Sequence, residues 1–114
     1  MKIVINRCYG GFGLSEKAID KIYERKRIAF EKKDDQGFVH YFKAGHLGDF
    51  DHYLSENDIA RDDPDLVAVV EELGNLANSR LSELKVVEIP DNVNWEIDEY
   101  DGMERIAEVH RIWA

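Results

Sequence analysis

The sequence predicts a single α+β domain spanning residues 1–114, with a small sheet of about four strands and two to three helices in the order β-α-β-α-β-β-α. Three observations lead to this prediction. A chain of 114 residues has room for one hydrophobic core, because domains cluster around ~100–150 residues. Its 44% hydrophobic and 11% aromatic content is typical of a globular chain. Strand-like and helix-like apolar patterns follow one another with no repeat, linker or low-complexity tract.

The first predicted unit is a strand, a glycine loop and a helix. Residues 1–7 form an apolar run that ends in the glycine-rich segment 8–13, as expected of a strand entering a loop. Ser15 is a good N-cap, because its hydroxyl can accept a hydrogen bond from a first-turn N–H. Apolar residues at helical spacing then continue to about Arg27. Residues 28–30 either extend this helix or begin a turn.

The middle of the chain predicts a second strand and an irregular connection. Residues 34–37, Asp-Asp-Gln-Gly, are a turn signal. The segment 38–42 that follows is rich in aromatic residues and is β-prone. The strand and helix patterns break down from residue 43 to residue 63, which predicts an irregular or short-helical connection.

The second half of the chain predicts one helix, two strands and a final helix. Asp63 before Pro64 indicates a helix start, since the aspartate oxygen can cap the first turn and proline needs no N–H donor there. The apolar spacing that follows predicts a helix to about residue 77, with Gly74 as a position that ends or loosens it. Strands are predicted at 84–89 and 95–100, a turn at 101–102 and a last helix from 103 to 113.

Charge is distributed unevenly along the chain, whose formal net charge is −9. Residues 1–33 carry nine basic and four acidic side chains, a net charge of +5, whereas residues 34–114 carry six basic and 20 acidic ones, a net charge of −14. Such a field repels nucleic acid over most of the surface and favours a basic partner. The alternative interpretation is that the charge serves solubility alone.

The single cysteine, Cys8, excludes an internal disulfide and indicates a reducing compartment. The N-terminal apolar stretch is too short for a signal peptide, and no run approaches the ~18 apolar residues of a membrane helix. We therefore expect a cytoplasmic protein that does not enter a membrane. Cys8 lies beside Arg7 and could act as a thiol nucleophile with His40 or His110, but a lone strand cysteine is more often a small buried side chain.

Two parts of the chain carry a family resemblance. They are MKIVINRCYGGFGLS at residues 1–15, and LKVVEIPD, WEIDEYDG and HRIW between residues 84 and 113. Through these segments the chain resembles a group of short phage and prophage proteins of unknown function, and residues 61–74 are similar in style to the same group. The resemblance brings no activity with it. It implies a protein of a mobile element that acts in the host cell cytoplasm and whose target is host machinery.

The glycine loop offers one candidate ligand site. Gly10, Gly11, Gly13 and Ser15 lie between a predicted strand and a predicted helix, where N–H groups and the helix dipole can hold a phosphate. The segment matches neither a dinucleotide fingerprint nor a Walker loop. Glycines at such a turn more often supply a positive φ angle, so phosphate binding stays an alternative.

A second candidate is a metal site in the irregular connection. His46, Asp49, Asp51 and His52 fall within seven residues and offer nitrogen and oxygen ligands. Their spacing matches neither the i, i+4 histidines of a zinc helix nor an oxygen-rich calcium loop, and the polar residues of a loop account for them as well. The sequence therefore predicts no metal and no cofactor.

The densest feature of the sequence is acidic. Seven carboxylates fall within 18 positions, from Asp91 to Glu108, and interleave with two aromatic residues. On a rigid strand and helix, such acids can imitate a row of phosphates and occupy an Arg/Lys channel built for nucleic acid. The alternative is that alternating acids form the wet face of a strand. The predicted partner-binding residues are Trp95, Glu96, Asp98, Glu99, Tyr100, Asp101 and Glu104.

These observations favour a non-enzymatic binding protein over an enzyme. The leading hypothesis is a phage-type accessory protein that binds a basic surface of a host nucleic-acid-binding protein through its acidic face. Its concrete form is an anti-CRISPR-like inhibitor of a nucleic-acid-handling defence system. Direct binding of nucleic acid is not expected. Two alternatives stay open: a nucleotide- or phosphate-binding protein or enzyme that uses the loop from Gly10 to Gly13, and a homo-oligomeric structural protein.

Overall fold

The computed structural model describes residues 1–109, and within this range the chain forms seven strands and two α-helices. The strands form three small antiparallel sheets rather than one sheet of about four strands. The α+β class is confirmed, and the predicted order of elements is only partly right. The elements are β1 (Lys2–Asn6), α1 (Glu16–Arg25), β2 (Phe30–Asp35), β3 (Phe38–Lys43), β4 (Tyr53–Leu54), α2 (Pro64–Leu73), β5 (Leu84–Glu88), β6 (Trp95–Tyr100) and β7 (Met103–Glu108), with short 3-10 helices at Phe50–His52, Glu56–Asp58 and Gly74–Ala77.

Strand β1 lies at the centre of the main core, paired with β5 along one edge. Ile3, Val4 and Ile5 are all buried. Because side chains alternate along a strand, Val4 faces one layer and the two isoleucines face the other. Val4 packs with buried residues of α1 and α2, and β7 lies beside β1. A strand covered on both faces has a continuous apolar sequence, which is the run seen at the start of this chain.

Both helices begin where the sequence predicts. The Ser15 side chain accepts a hydrogen bond from a first-turn N–H and caps α1. The Asp63 carboxylate accepts from the N–H groups of Asp65 and Leu66 and caps α2, with Pro64 in the first turn. These caps satisfy N–H groups that have no partner inside the helix. Across the described residues 1–109, no helix has the length and apolar character needed to span a membrane.

Strand β2 is an element that the sequence did not predict. Residues 31–35 are all charged and exposed, so the strand lacks an apolar alternation. It forms because the predicted turn at 34–37 is a hairpin turn. Gln36 and Gly37 have φ angles of 53° and 90°, the pair of positive angles that a type I′ turn requires. Phe30 anchors the strand by packing against two buried tyrosine rings.

Residues 103–108 form β7, so the predicted last helix is wrong over this range. Asp101 and Gly102 have φ angles of 52° and 90°, which makes the predicted turn a two-residue hairpin turn of type I′. The turn returns the chain along β6, where strand pairing overrides the helical spacing of the apolar residues. The rest of the predicted helix, at 110–113, lies outside the described residues.

Candidate functional site

The β6–β7 hairpin carries the predicted partner-binding residues, and its two faces differ. Because side chains alternate along a strand, Trp95 and Ile97 share the inner face, where both are half-buried. Glu96, Asp98 and Tyr100 share the outer face, and Tyr100 is 79% exposed. The hairpin therefore presents acids and one tyrosine to solvent and turns its tryptophan away from them.

Glu104 does not belong to this exposed face, which corrects its prediction as a partner-binding residue. Its side chain is 7% exposed, and its two oxygens accept hydrogen bonds from the Arg61 guanidinium at 2.6 and 2.9 Å. The Arg61 guanidinium also lies over the Phe12 ring, 3.5 Å from its centroid. A two-pronged pair of this kind fixes both side chains in one orientation. Glu104 thus fastens the hairpin to the body of the protein.

The same pair completes the second edge of β1. Val4 N–H donates to the backbone carbonyl of Arg61 at 2.9 Å, and Asn6 N–H donates to Glu104 Oε1 at 2.8 Å. The Arg61 guanidinium donates in turn to the carbonyl of Val4 at 3.3 Å. An edge strand needs partners for its outward N–H and C=O groups, and here one carboxylate and one arginine residue provide them.

Asn6 ties the end of β1 to the hairpin turn. It is fully buried, and its amide Nδ2 donates to the carbonyls of Cys8 at 2.6 Å and Gly102 at 2.7 Å. Its Oδ1 accepts from the N–H groups of Cys8 and Glu83. The amide therefore makes all four hydrogen bonds that its two donors and two lone pairs allow.

The tip of the hairpin packs directly on the glycine loop. The Glu99 carboxylate accepts a hydrogen bond from Gly102 N–H at 2.6 Å, which closes the turn beside the exposed Asp101. A Cβ atom at Gly102 would lie 2.3 Å from the carbonyl oxygen of Tyr9 and 2.6 Å from the nitrogen of Gly11. Gly102 is therefore required twice, for its positive φ and for this close approach of two backbones.

A groove of about 690 Å³ runs beside the hairpin tip. Its lining brings together four of the predicted partner-binding residues with Arg7, and it adds Met103 and Arg105, which the sequence did not single out. The groove is thus a polar surface of mixed charge with apolar and aromatic contact area. The lining residues are Arg7, Asp98, Glu99, Tyr100, Met103, Glu104 and Arg105.

Many of the basic side chains in residues 1–33 form ion pairs with acidic side chains of the same chain. On the hairpin, by contrast, Asp98 faces Arg105 at 3.7 Å. Glu96, Glu99 and Asp101 pair with no basic side chain among residues 1–109. Glu96 therefore carries an unpaired charge on the outer face, and Glu99 and Asp101 carry theirs at the exposed tip. The pairs that these basic side chains of residues 1–33 form with α1, α2 and the residue that caps α2 are Lys2–Glu71, Lys21–Glu72, Arg25–Asp65, Lys26–Asp63, Lys26–Asp65, Lys32–Glu16 and Lys32–Asp20.

Two donors beside the glycine loop, the Ser15 hydroxyl and the Leu14 N–H, are engaged inside the chain. The Ser15 hydroxyl donates to the carbonyl of Leu76 at 2.7 Å while it caps α1. Leu14 N–H donates to the Glu56 carboxylate at 3.1 Å, so an internal acid already lies at the start of this helix. Burial raises the pKa of the Glu56 carboxyl, and the hydrogen bond from Leu14 and the charge of Arg61 oppose that rise. A phosphate at this place would meet a second anion.

The glycines of this loop serve close packing. A Cβ atom at Gly10 would lie 2.0 Å from the carbonyl oxygen of Leu81, and one at Gly13 would lie 2.6 Å from Ser79 Oγ. Gly11 has a φ angle of 90°. The loop thus needs glycine to let the segment 79–81 approach, and the geometry does not favour the phosphate interpretation.

No protein-family model, no curated protein and no solved structure matches this chain.

Proposed function

We propose that this chain is a non-enzymatic binding protein that holds a basic surface of another protein against the outer face and tip of its β6–β7 hairpin. The observation that carries the proposal is the outward charge of that hairpin. Glu96, Glu99 and Asp101 have no basic partner among residues 1–109, although many acids of the helical layer are paired. Unneutralised carboxylates on one ribbon attract arginine and lysine side chains.

The hairpin is suited to binding because it is held rigidly. The Arg61–Glu104 pair and the saturated Asn6 amide attach it to β1 at two points. A surface that is already ordered loses little conformational freedom on association, which favours affinity. Tyr100, 79% exposed at the tip, supplies the kind of aromatic anchor found at binding hot spots.

The charges and the tyrosine have different roles in the proposed complex. The exposed acids steer a basic partner toward the hairpin, which raises the association rate and makes it fall with salt. Tyr100, together with Met103 in the neighbouring groove, contributes apolar contact area that slows dissociation. The partner is proposed to be a protein with an Arg/Lys-rich surface, of the kind that binds nucleic acid. A phage-type inhibitor of a host defence system is the particular form that the sequence resemblance suggests.

The proposal is tested with two variants of equal net charge. Glu96→Lys with Asp98→Asn alters the outer face of the hairpin, and Glu24→Lys with Asp35→Asn alters exposed acids on α1 and β2. Each variant changes the net charge by +3, so bulk electrostatics is matched. Binding of an arginine-rich protamine peptide is titrated at about 50 and about 300 mM NaCl, because screening separates steering from contact.

We expect the hairpin variant to bind the peptide more than about tenfold more weakly than the unmodified chain at low salt, or about 1.4 kcal/mol. The variant on α1 and β2 is expected to stay within about twofold, and Tyr100→Ala is expected to raise the dissociation rate at both salt concentrations. An equal loss in both charge variants would show that only total charge matters, and the hairpin would then not be the binding surface.

A further inference from the structure

The connection between β3 and β4 repeats with a period of three residues. Gly45-His46-Leu47, Gly48-Asp49-Phe50 and Asp51-His52-Tyr53 each place a metal-ligating side chain in the middle and an apolar one at the end. The backbone repeats with the sequence, through successive i→i+3 hydrogen bonds. His46 N–H donates to the carbonyl of Lys43, Asp49 N–H to that of His46 and His52 N–H to that of Asp49, at 3.0, 3.0 and 2.9 Å.

This repeat brings three ligating side chains together. Three successive turns place the side chains of His46, Asp49 and His52 on the same side of the segment. The rings of His46 and His52 are stacked, with centroids 3.7 Å apart and planes 11° from parallel. Asp49 Oδ2 lies 2.9 Å from His52 Nδ1 and 4.0 Å from His46 Nδ1. One donor atom from each of the three residues lies within 4.8 Å of the other two.

The segment from Gly45 to Tyr53 contacts β3 through its apolar side chains. Phe50 and Tyr53 pack on the fully buried ring of Phe42, with centroid distances of 5.5 and 5.6 Å. Gly45 and Gly48 have φ angles of 83° and 84°, which lets the chain turn before each of the first two ligands. The backbone that presents the ligands is therefore held to β3 while the ligand side chains reach solvent.

The donor set matches a metal of intermediate softness. Two imidazole nitrogens and one carboxylate oxygen suit zinc-class ions, whereas calcium and magnesium require mostly oxygen ligands. Asp49 Oδ1 accepts the N–H of Asp51 at 3.0 Å, which orients Oδ2 toward the histidines. Tetrahedral zinc holds its donor atoms about 3.3 Å apart. The stacked rings carry their nitrogen lone pairs in nearly parallel planes, and His52 Nδ1 is hydrogen-bonded to Asp49 Oδ2, so both rings must turn out of the stack and this hydrogen bond must give way for the three donors to close on one ion. Both rings lie at the surface and can rotate without disturbing the core.

We propose that His46, Asp49 and His52 bind one zinc-class divalent ion, with the fourth coordination position open to water. Within residues 1–109, this is the one cluster of three such side chains whose donor atoms converge. The ion links three successive turns and so braces the connection that leads into β4. The site is independent of the β6–β7 hairpin, and either proposal can fail without the other.

The test is calorimetric titration of ZnCl₂ into the untagged full chain. We expect one zinc ion per chain, with at least about a tenfold loss of affinity in His52→Ala and in Asp49→Asn, because each variant removes one of three ligands. Asp49→Asn keeps the side-chain oxygen that accepts Asp51 N–H, so the turn is preserved. His40→Ala is the matched control, because its ring contacts Tyr53 outside the cluster and its affinity should stay within about twofold.

Two further measurements make the result specific. Zinc should raise the melting temperature of the unmodified chain and of His40→Ala but not that of His52→Ala, because an ion that binds only the folded state stabilises it. The histidine ring resonances of positions 46 and 52 should shift together on zinc addition. Zinc binding that calcium displaces at equal concentration, or that survives in His52→Ala, would overturn the proposal and indicate only exposed acids collecting cations. Absence of binding at millimolar zinc would overturn it as well.

Discussion

Breaking the Arg61–Glu104 pair should be among the most damaging single changes in the protein. Arg61→Met leaves the Glu104 carboxylate, 7% exposed, without its cation in the interior. The loss of one partner from a buried ion pair costs about 3–5 kcal/mol, and most domains have only about 5–15 kcal/mol in total. The loss of the guanidinium stacked on Phe12 adds to this cost.

Changing the acid instead should cost less. Glu104→Gln keeps an oxygen to accept Asn6 N–H, and the Arg61 side chain, 23% exposed, regains part of its hydration. We expect a loss of about 1–3 kcal/mol, the range for an unsatisfied buried polar group. The double variant Arg61→Met with Glu104→Gln should lose less than the sum of the two, because the unpaired charge is gone.

The assay is urea unfolding of the four proteins of this cycle, followed by circular dichroism. If Arg61→Met does not fold, Arg61→Lys replaces it, since lysine keeps the charge but lacks the two-pronged geometry and the flat face. Losses that add to within about 0.5 kcal/mol would show that the two residues are not coupled. A loss below about 1 kcal/mol for Arg61→Met would place the pair in an effectively solvated environment and refute the reasoning.

Three further predictions concern stability. Ser15→Ala should lower the free energy of unfolding by about 0.5–2 kcal/mol, toward the upper end because the hydroxyl also donates to Leu76; an unchanged urea midpoint would contradict the capping role. Gly102→Ala should lower the free energy of unfolding more than Ser15→Ala does, because the φ angle of Gly102 is 90° and the new Cβ would lie 2.3 Å from a carbonyl oxygen. Equal urea midpoints for the two variants would argue against this clash. Burial raises the pKa of Tyr23 to about 12, so stability should fall by about 2 kcal/mol as pH rises from 10 to 12, because the unfolded tyrosine ionises over this range while the folded one is only half ionised at its upper end. Tyr23→Phe should remove the Tyr23 share of this alkaline loss, whereas the share of Tyr41, whose pKa is raised by burial and by its hydrogen bond to Asp20, should persist. An unchanged pH profile in Tyr23→Phe would count against the prediction.

The parts of the fold that local chemistry determines could be predicted from the sequence. The caps at Ser15 and Asp63 and the turn at Asp101-Gly102 were identified because each depends on one or two neighbouring residues. Strands β2 and β7 were not, because their formation depends on pairing with β3 and β6 across a type I′ turn. A turn signal followed by a β-prone segment implies a strand on its other side, even where that strand is fully charged.

The candidate sites show the same division. The sequence located the acidic strand and turn, but it could not show that Glu104 is buried, because that depends on Arg61, 43 positions away in the predicted irregular connection. The two histidines and Asp49 lie close together in the sequence, but their spacing matches neither the i, i+4 histidines of a zinc helix nor a calcium loop. The triplet repeat of residues 45–53 is the signal that predicts a shared site for these three side chains, because a period of three matches turns whose hydrogen bonds run from i to i+3.

The Arg61–Glu104 pair links stability to the proposed binding function. Variants of this pair and variants of the exposed acids should therefore differ in their effects on folding and on peptide binding. The hairpin carries Glu96, Asp98 and Tyr100 on its outer face, while Glu104 on its inner side fastens it to β1. Arg61→Met should therefore weaken peptide binding as well as folding, because a loosened hairpin must be ordered again on association. Glu96→Lys with Asp98→Asn should weaken binding while the unfolding free energy changes by less than about 1 kcal/mol, since these charges are exposed. If Arg61→Met unfolds at a lower urea concentration but binds the peptide normally under native conditions, the hairpin does not need its attachment in order to bind, and the rigidity invoked for the proposed function would have to be abandoned.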